Sequence, residues 1–168
     1  MTTILKIFSL LGGLATLFIF YPALAAEVKP KIDTGDTAWL LTSTAIVLLM
    51  TIPGVALFYA GMARKKNVLS VLIQSFTITC LISIIWMVVG YSLAFSKSEN
   101  SYIGNFDLAF LDHLTTGAVN GTIPDSLFVV FQMTFAIITA ALITGALAER
   151  MKFSALLWLV GLWSIIVY

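Results

Sequence analysis

Four long apolar stretches, residues 38–60, 69–95, 126–148 and 154–168, contain no lysine, arginine, aspartate, glutamate or histidine. Such a pattern leaves a chain few options. Lipid offers no hydrogen-bond partner to an open backbone amide, so each stretch has to be helical, and these patterns make no closed barrel. A hydrocarbon core takes about 20 apolar residues per helix, which the first three stretches supply. The fourth, Ser154 to Tyr168, is apolar but too short to cross alone. The sequence therefore reads as an all-α membrane protein, a transmembrane helix bundle, and as the front portion of a longer chain.

Composition agrees. Hydrophobic residues make up 60% of the sequence and charged residues 10%, with a mean hydropathy of +1.05, whereas a soluble domain carries roughly 25% charged residues. A net charge of +1 argues for neither a nucleic-acid partner nor a polybasic anchor. Cys80 is the single cysteine, so no intrachain disulfide is possible, and its mid-span position reads as a small buried packing residue.

The first 25 residues have the layout of a secretory signal peptide. Lys6 gives a positive start, Ile7 to Phe20 is apolar, and Pro22-Ala23-Leu24-Ala25-Ala26 offers an Ala-x-Ala site cleaved after Ala25. An uncleaved first span is the alternative. With cleavage, residues 26–37 form a short extracytoplasmic segment ahead of the membrane domain at 38–168.

Loop charges orient the spans. Residues 61–67 carry Arg64, Lys65 and Lys66 without an acid, and 149–153 carry Arg150 and Lys152 against Glu149. The connection 96–125 sets Lys97 against Glu99, Asp107, Asp112 and Asp125. Short basic loops stay in the cytoplasm, so 61–67 and 149–153 face inward and 96–125 faces outward, in a plasma (inner) membrane. Asn67 and Asp125 are placed to cap the second and third helices. Pro53-Gly54 predicts a kink in the first. Trp39, Tyr91, Phe95 and Tyr102 fall near the outer interface, where belt anchoring accounts for them.

Stripes of small and polar residues argue for a bundle. Ser70, Gln74 and Thr77 share one face of the second helix. Ala56 and Ala60, then Ala141 and Gly145, form small-xxx-small pairs that let backbones approach, with hydroxyls and amides bonding across helices. On the third helix Phe131 and Phe135 stand one turn apart on one side, with Thr139, Leu142 and Ile143 continuing the face. That reads either as an aromatic vestibule above an apolar lining or as two phenylalanines packed in a core. A ring face attracts a small cation by about 0.5–1 kcal/mol when exposed and about 2 when desolvated. It holds such a cation at the mouth but does not dehydrate it unaided.

Four segments carry a resemblance: Thr51-Ile52-Pro53-Gly54-Val55-Ala56-Leu57-Phe58-Tyr59-Ala60-Gly61, Lys66-Asn67-Val68-Leu69-Ser70, Gly90-Tyr91-Ser92-Leu93-Ala94-Phe95, and Phe131-Gln132 through Phe135-Ala136 followed by Gly145-Ala146-Leu147-Ala148-Glu149-Arg150. In this order and spacing residues 36–160 resemble the opening of ammonium transporters of the Amt/Mep/Rh family. The resemblance implies the N-terminal part of an eleven-helix ammonium transporter fold with an inverted repeat, assembled as a homotrimer with one pore per protomer and using no cofactor. It implies that Phe131 and Phe135 are outer-vestibule and gate phenylalanines, with Phe135 touching ammonium, and that Gln132 lies close by without an assigned contact. It places the recruitment tryptophan later in the fourth helix and the pore histidines in later helices. His113, in the acidic loop, is no substitute and reads as a solvated histidine. It further implies that a PII-type nitrogen regulatory protein docks on the cytoplasmic face, to which loops 61–67 and 149–153 contribute.

The function that follows is ammonium transport: the cation is recruited at the aromatic vestibule and passes an apolar pore after deprotonation. Residues 1–168 alone are expected not to conduct. An ammonium sensor of the same fold and a non-conducting scaffold subunit are the alternatives. An enzyme is disfavoured, since the spans hold no ionisable side chain beyond Cys80 and tyrosine.

Overall fold

A computed structural model describes residues 31–97, 103–112, 114–115 and 117–168. The leader 1–25, Glu99, Tyr102 and His113 lie outside the described residues. Residues 32–168 form one compact unit. It is built from three helices of membrane-crossing length, α1 (Thr34–Met62), α2 (Lys65–Phe95) and α3 (Asp125–Leu147), and a shorter apolar helix, α4 (Phe153–Ile166). The predicted spans are all present. α1 starts before its apolar stretch because Asp33 caps it: the carboxylate oxygen Oδ1 accepts from the Asp36 amide at 2.9 Å. Asp36 then adds an acid to the first turn, where the helix dipole is positive.

Two turns depart from α geometry. Residues Met50–Val55 form a π-helical turn around Pro53. Proline has no amide to donate and crowds the preceding turn, and widening that turn accommodates it where a kink was expected. A second π turn, Trp86–Gly90, lies in the C-terminal half of α2, the half leading to Phe95. There the Tyr91 amide reaches back five residues to the Trp86 carbonyl.

Both predicted caps differ in detail. Asn67 does precede the α-helical part of α2, but its side chain makes no cap bond; the amide is engaged by Glu149. Asp125 is the first residue of α3 and Pro124 occupies the cap position, since extended proline ends a small hairpin there. That hairpin pairs Val119–Asn120 with Ile123–Pro124. It is tied to the start of α1 by the Asp33 amide on the Thr122 carbonyl at 2.8 Å and by the Thr122 hydroxyl on Asp36 Oδ2 at 2.6 Å.

α2 and α3 each pack on the other three helices. Ile78, Ile82 and Trp86 of α2 meet Val129, Ala136, Ile137 and Ala140 of α3 and Leu156 and Val160 of α4. Lipid is as apolar as these side chains, so close backbone approach rather than hydrophobic burial holds such a seam. Ala56, Ala60 and Ala141 are buried accordingly. Gly145 sits against the Tyr59 ring, where a Cβ would overlap Cε1 and Cζ. The Tyr59 hydroxyl donates to the Leu142 carbonyl at 3.1 Å and closes the same seam.

Three expectations are corrected. Cys80 is exposed, because Ile78, Thr79 and Ile82 take the core-facing positions of that stretch. Tyr91 is only 4% exposed and is not a belt residue: it packs on Trp86 at 5.8 Å and stacks on Phe95 at 5.2 Å between ring centroids. Trp39, 74% exposed, fits the belt. The serine and threonine hydroxyls in the middle of α1 and α2 are not interhelical glue. Those of Thr51, Ser75, Thr77, Thr79 and Ser83 each donate to a carbonyl four residues back in their own helix. Of the Ser70–Gln74–Thr77 stripe only Gln74 is buried.

Beyond α2, Gly104 lies so close to the helix end that a Cβ would sit 2.6 Å from the Ser92 carbonyl and 2.7 Å from that of Leu93. Its amide caps Leu93 at 2.8 Å. The Ser92 hydroxyl donates to the Asn105 carbonyl at 2.7 Å and accepts from the Leu108 amide at 3.0 Å. Loop 103–111 thereby satisfies carbonyls that a helix end leaves open.

Candidate functional site

The position of the phenylalanine pair follows from how α3 is packed. Val129, Ala136, Ile137 and Ala140 occupy its core face, and at about 100° per residue the stripe Phe131, Phe135, Thr139, Leu142 falls on another side. That stripe is partly open: Phe135 is 37% exposed and Leu142 51%, while Phe131 and Thr139 are half-buried. Among residues 32–168, Phe135 is thus only partly covered.

The rings do not lie face to face. Their centroids are 5.1 Å apart with planes at 79°, an edge-to-face pair, the arrangement that the ring quadrupole favours over a parallel sandwich. In such a pair one ring lends only its edge and keeps both faces for another partner. The backbone beneath is fully engaged. The Thr134 hydroxyl donates to the Phe131 carbonyl at 2.6 Å and that of Thr139 to the Phe135 carbonyl at 2.7 Å. Thr139 thus offers the stripe a methyl group while its hydroxyl proton is held by the helix. Gln132 is half-buried beside the pair.

At the basic end of the bundle lies a second polar construction. The Glu149 carboxylate accepts from the Arg64 amide and from Asn67 Nδ2, both at 2.9 Å, and pairs with Arg64 Nε at 3.6 Å. Glu149 takes a left-handed φ of 63° to do this. The Arg64 amide and then the Asn67 amide group hold its carboxyl below the usual carboxylate range, with the Arg64 and Lys66 charges adding to the effect. The two basic loops are thereby stapled to each other. Sequence reasoning treated Glu149 only as one charge among three; its presence beside Lys66-Asn67 in the motif set was the available signal. Trp86 was missed as well. It is buried and its indole donates to the Val129 carbonyl at 3.2 Å, a contact between distant positions that spacing does not reveal.

An apolar bundle with an open aromatic stripe and no charge in its spans fits many membrane proteins. Comparison decides among them: the family described as Ammonium Transporter Family matches residues 38–168. The chain belongs to the ammonium transporter family. It is 48% identical over 136 residues to the ammonium transporter of Bacillus subtilis, across 80% of this chain and 33% of that protein. Crystalline Candida albicans Mep2 is similar with a TM-score of 0.73 at 32% identity, over 82% of this chain and 30% of that one. A structure titled Sensor Amt Protein gives a TM-score of 0.70 at 29% identity, over 78% and 31%. The chain spans roughly a third of the length of the relatives it matches, between 32% and 38% for the first three. This member of the ammonium transporter family is thus a multi-pass membrane protein with the N-terminal part of the family's fold. The resemblance drawn from residues 36–160 is borne out.

Proposed function

We propose that this chain supplies the outer aromatic vestibule of an ammonium transporter, with Phe135 contacting the cation and Phe131 shaping the gate beside it. The carrying observation is the partly open Phe131–Phe135–Thr139–Leu142 stripe, set across α3 from its core face of Val129, Ala136, Ile137 and Ala140. A ring face there binds a bare cation by about 0.5–2 kcal/mol depending on its hydration. That selects the cation at the mouth and leaves its deprotonation to groups further along the pore. Below the rings the stripe offers only methyl and apolar surface, so it passes a neutral molecule more readily than a charge. Assembly as a homotrimer in the plasma (inner) membrane, an extracytoplasmic N-terminus after cleavage at Ala25, and a PII-type partner on the face carrying 61–67 and 149–153 belong to the same proposal. Its support is family membership and the basic loops.

In a full-length transporter carrying these residues, Phe135→Ala should change uptake selectivity between ammonium and methylammonium or lower flux, with surface expression retained. Radiolabelled methylammonium uptake with ammonium competition measures both, and unaltered discrimination would remove Phe135 from the site. A sensor is the second reading, favoured by the likeness to the Sensor Amt Protein structure. Ammonium binding without uptake would select it.

A further inference from the structure

We infer that Trp86 is a positioning residue for the vestibule, setting the depth and rotation of the outer half of α3 from behind. The inference rests on the proposed role of Phe131 and Phe135. Trp86 is 3% exposed, at the core of the α2–α3 seam. Its indole Nε1 donates to the Val129 carbonyl at 3.2 Å, a polar bond between the two helices inside an apolar interface. A mid-helix carbonyl already accepts from its own helix and has a second lone pair to offer. Phe131 and Phe135 lie roughly 160° and 120° around α3 from Val129. A bond to that carbonyl therefore holds the back of the helix while the rings project from the front.

Three further features make Trp86 the fixed side of this contact. The π turn Trp86–Gly90 begins at this residue, and such turns are frequently found at functional positions because they redirect a side chain without ending the helix. The indole is wedged edge-on by Tyr91 at 5.8 Å, Phe95 at 6.2 Å and Tyr168 at 6.2 Å. Phe95 in turn meets Phe128 of α3 at 5.2 Å, one turn from Phe131. The aromatic cluster at the outer part of α2 thus grips α3 at two successive levels, Phe128 and Val129, just ahead of the vestibule pair.

The test uses a full-length transporter with Trp86→Phe, which keeps an aromatic ring and removes the N–H. Uptake kinetics are compared with those of Phe135→Ala and of the double variant, and hydrogen–deuterium exchange is followed on the purified proteins. Trp86→Phe is expected to raise KM about threefold or more with maximal uptake little changed, the pattern of lost binding rather than lost turnover. Exchange should quicken in residues 126–135 and not in 136–147. The double variant should show the KM of Phe135→Ala alone, since residues acting through one contact do not add. A wild-type KM and exchange profile in Trp86→Phe, alongside a shifted Phe135→Ala, overturns the role of Trp86 and leaves the vestibule standing. A Phe135→Ala variant unchanged in KM, flux and ammonium-against-methylammonium discrimination overturns the vestibule and with it the positioning role, whatever the exchange profile of Trp86→Phe. Because exchange is read on purified protein, loss of uptake in Trp86→Phe does not hide the result.

Discussion

Single residues carry the polar chemistry of this bundle. Glu149 is the most exposed to test. Its carboxyl is held below the usual range by the Arg64 amide and the Asn67 side chain, so the folded state favours the ionised form. A carboxylate depressed in this way contributes stability above its unfolded pKa of about 4.3, and loses it as pH falls through the lower folded value. Acidification below about pH 4 should therefore loosen the loop staple. Exchange in 61–67 and 149–153 should rise there in the wild type, and Glu149→Gln should be loose already at neutral pH with little further change. Equal pH dependence in both proteins would show that the staple does not act through this carboxyl. That Phe131 and Phe135 share one side of α3 was legible in the sequence from their spacing. Their edge-to-face geometry was not, because periodicity gives the side of a helix but not the ring torsions. Cys80 and Tyr91 were misplaced for a related reason: span position fixes depth in the membrane and says nothing of which neighbour a side face meets.

At the level of elements, boundaries were legible within a few residues because charge is excluded from each span so completely. What composition did not reveal were the two π turns and the partners of the hydroxyls. Threonine and serine in a helix are satisfied most cheaply by the carbonyl one turn back, so a polar stripe need not glue two helices. The α1–α3 seam instead depends on absence of bulk at Gly145. Gly145→Ala drives a methyl into the Tyr59 ring, and overpacking of this kind costs about 1–3 kcal/mol. A lower melting temperature in detergent is expected, with recovery in the Gly145→Ala, Tyr59→Leu double variant, whose smaller side chain makes room. A Gly145→Ala protein as stable as wild type would show that the seam has room for a methyl group.

For the molecule as a whole, family and fold followed from motifs in order along the chain, and comparison bears them out. The proposed orientation in the membrane rests on loop charge alone, and it is directly measurable. In a Cys80→Ser background, Asp107→Cys should react with a membrane-impermeant maleimide in intact cells, while Lys66→Cys and Lys152→Cys should react only after permeabilisation. The reverse pattern would invert the bundle and put Phe131 and Phe135 at the cytoplasmic mouth. The central claim, that an open pair of rings on α3 receives the cation, is tested most directly by a side-chain-resolution density map of the assembled full-length transporter in ammonium. The account predicts Phe131 and Phe135 at the outer mouth of the conduction path, with density for a small guest over the Phe135 ring. Both rings turned to lipid, or buried between helices away from any path, would contradict it.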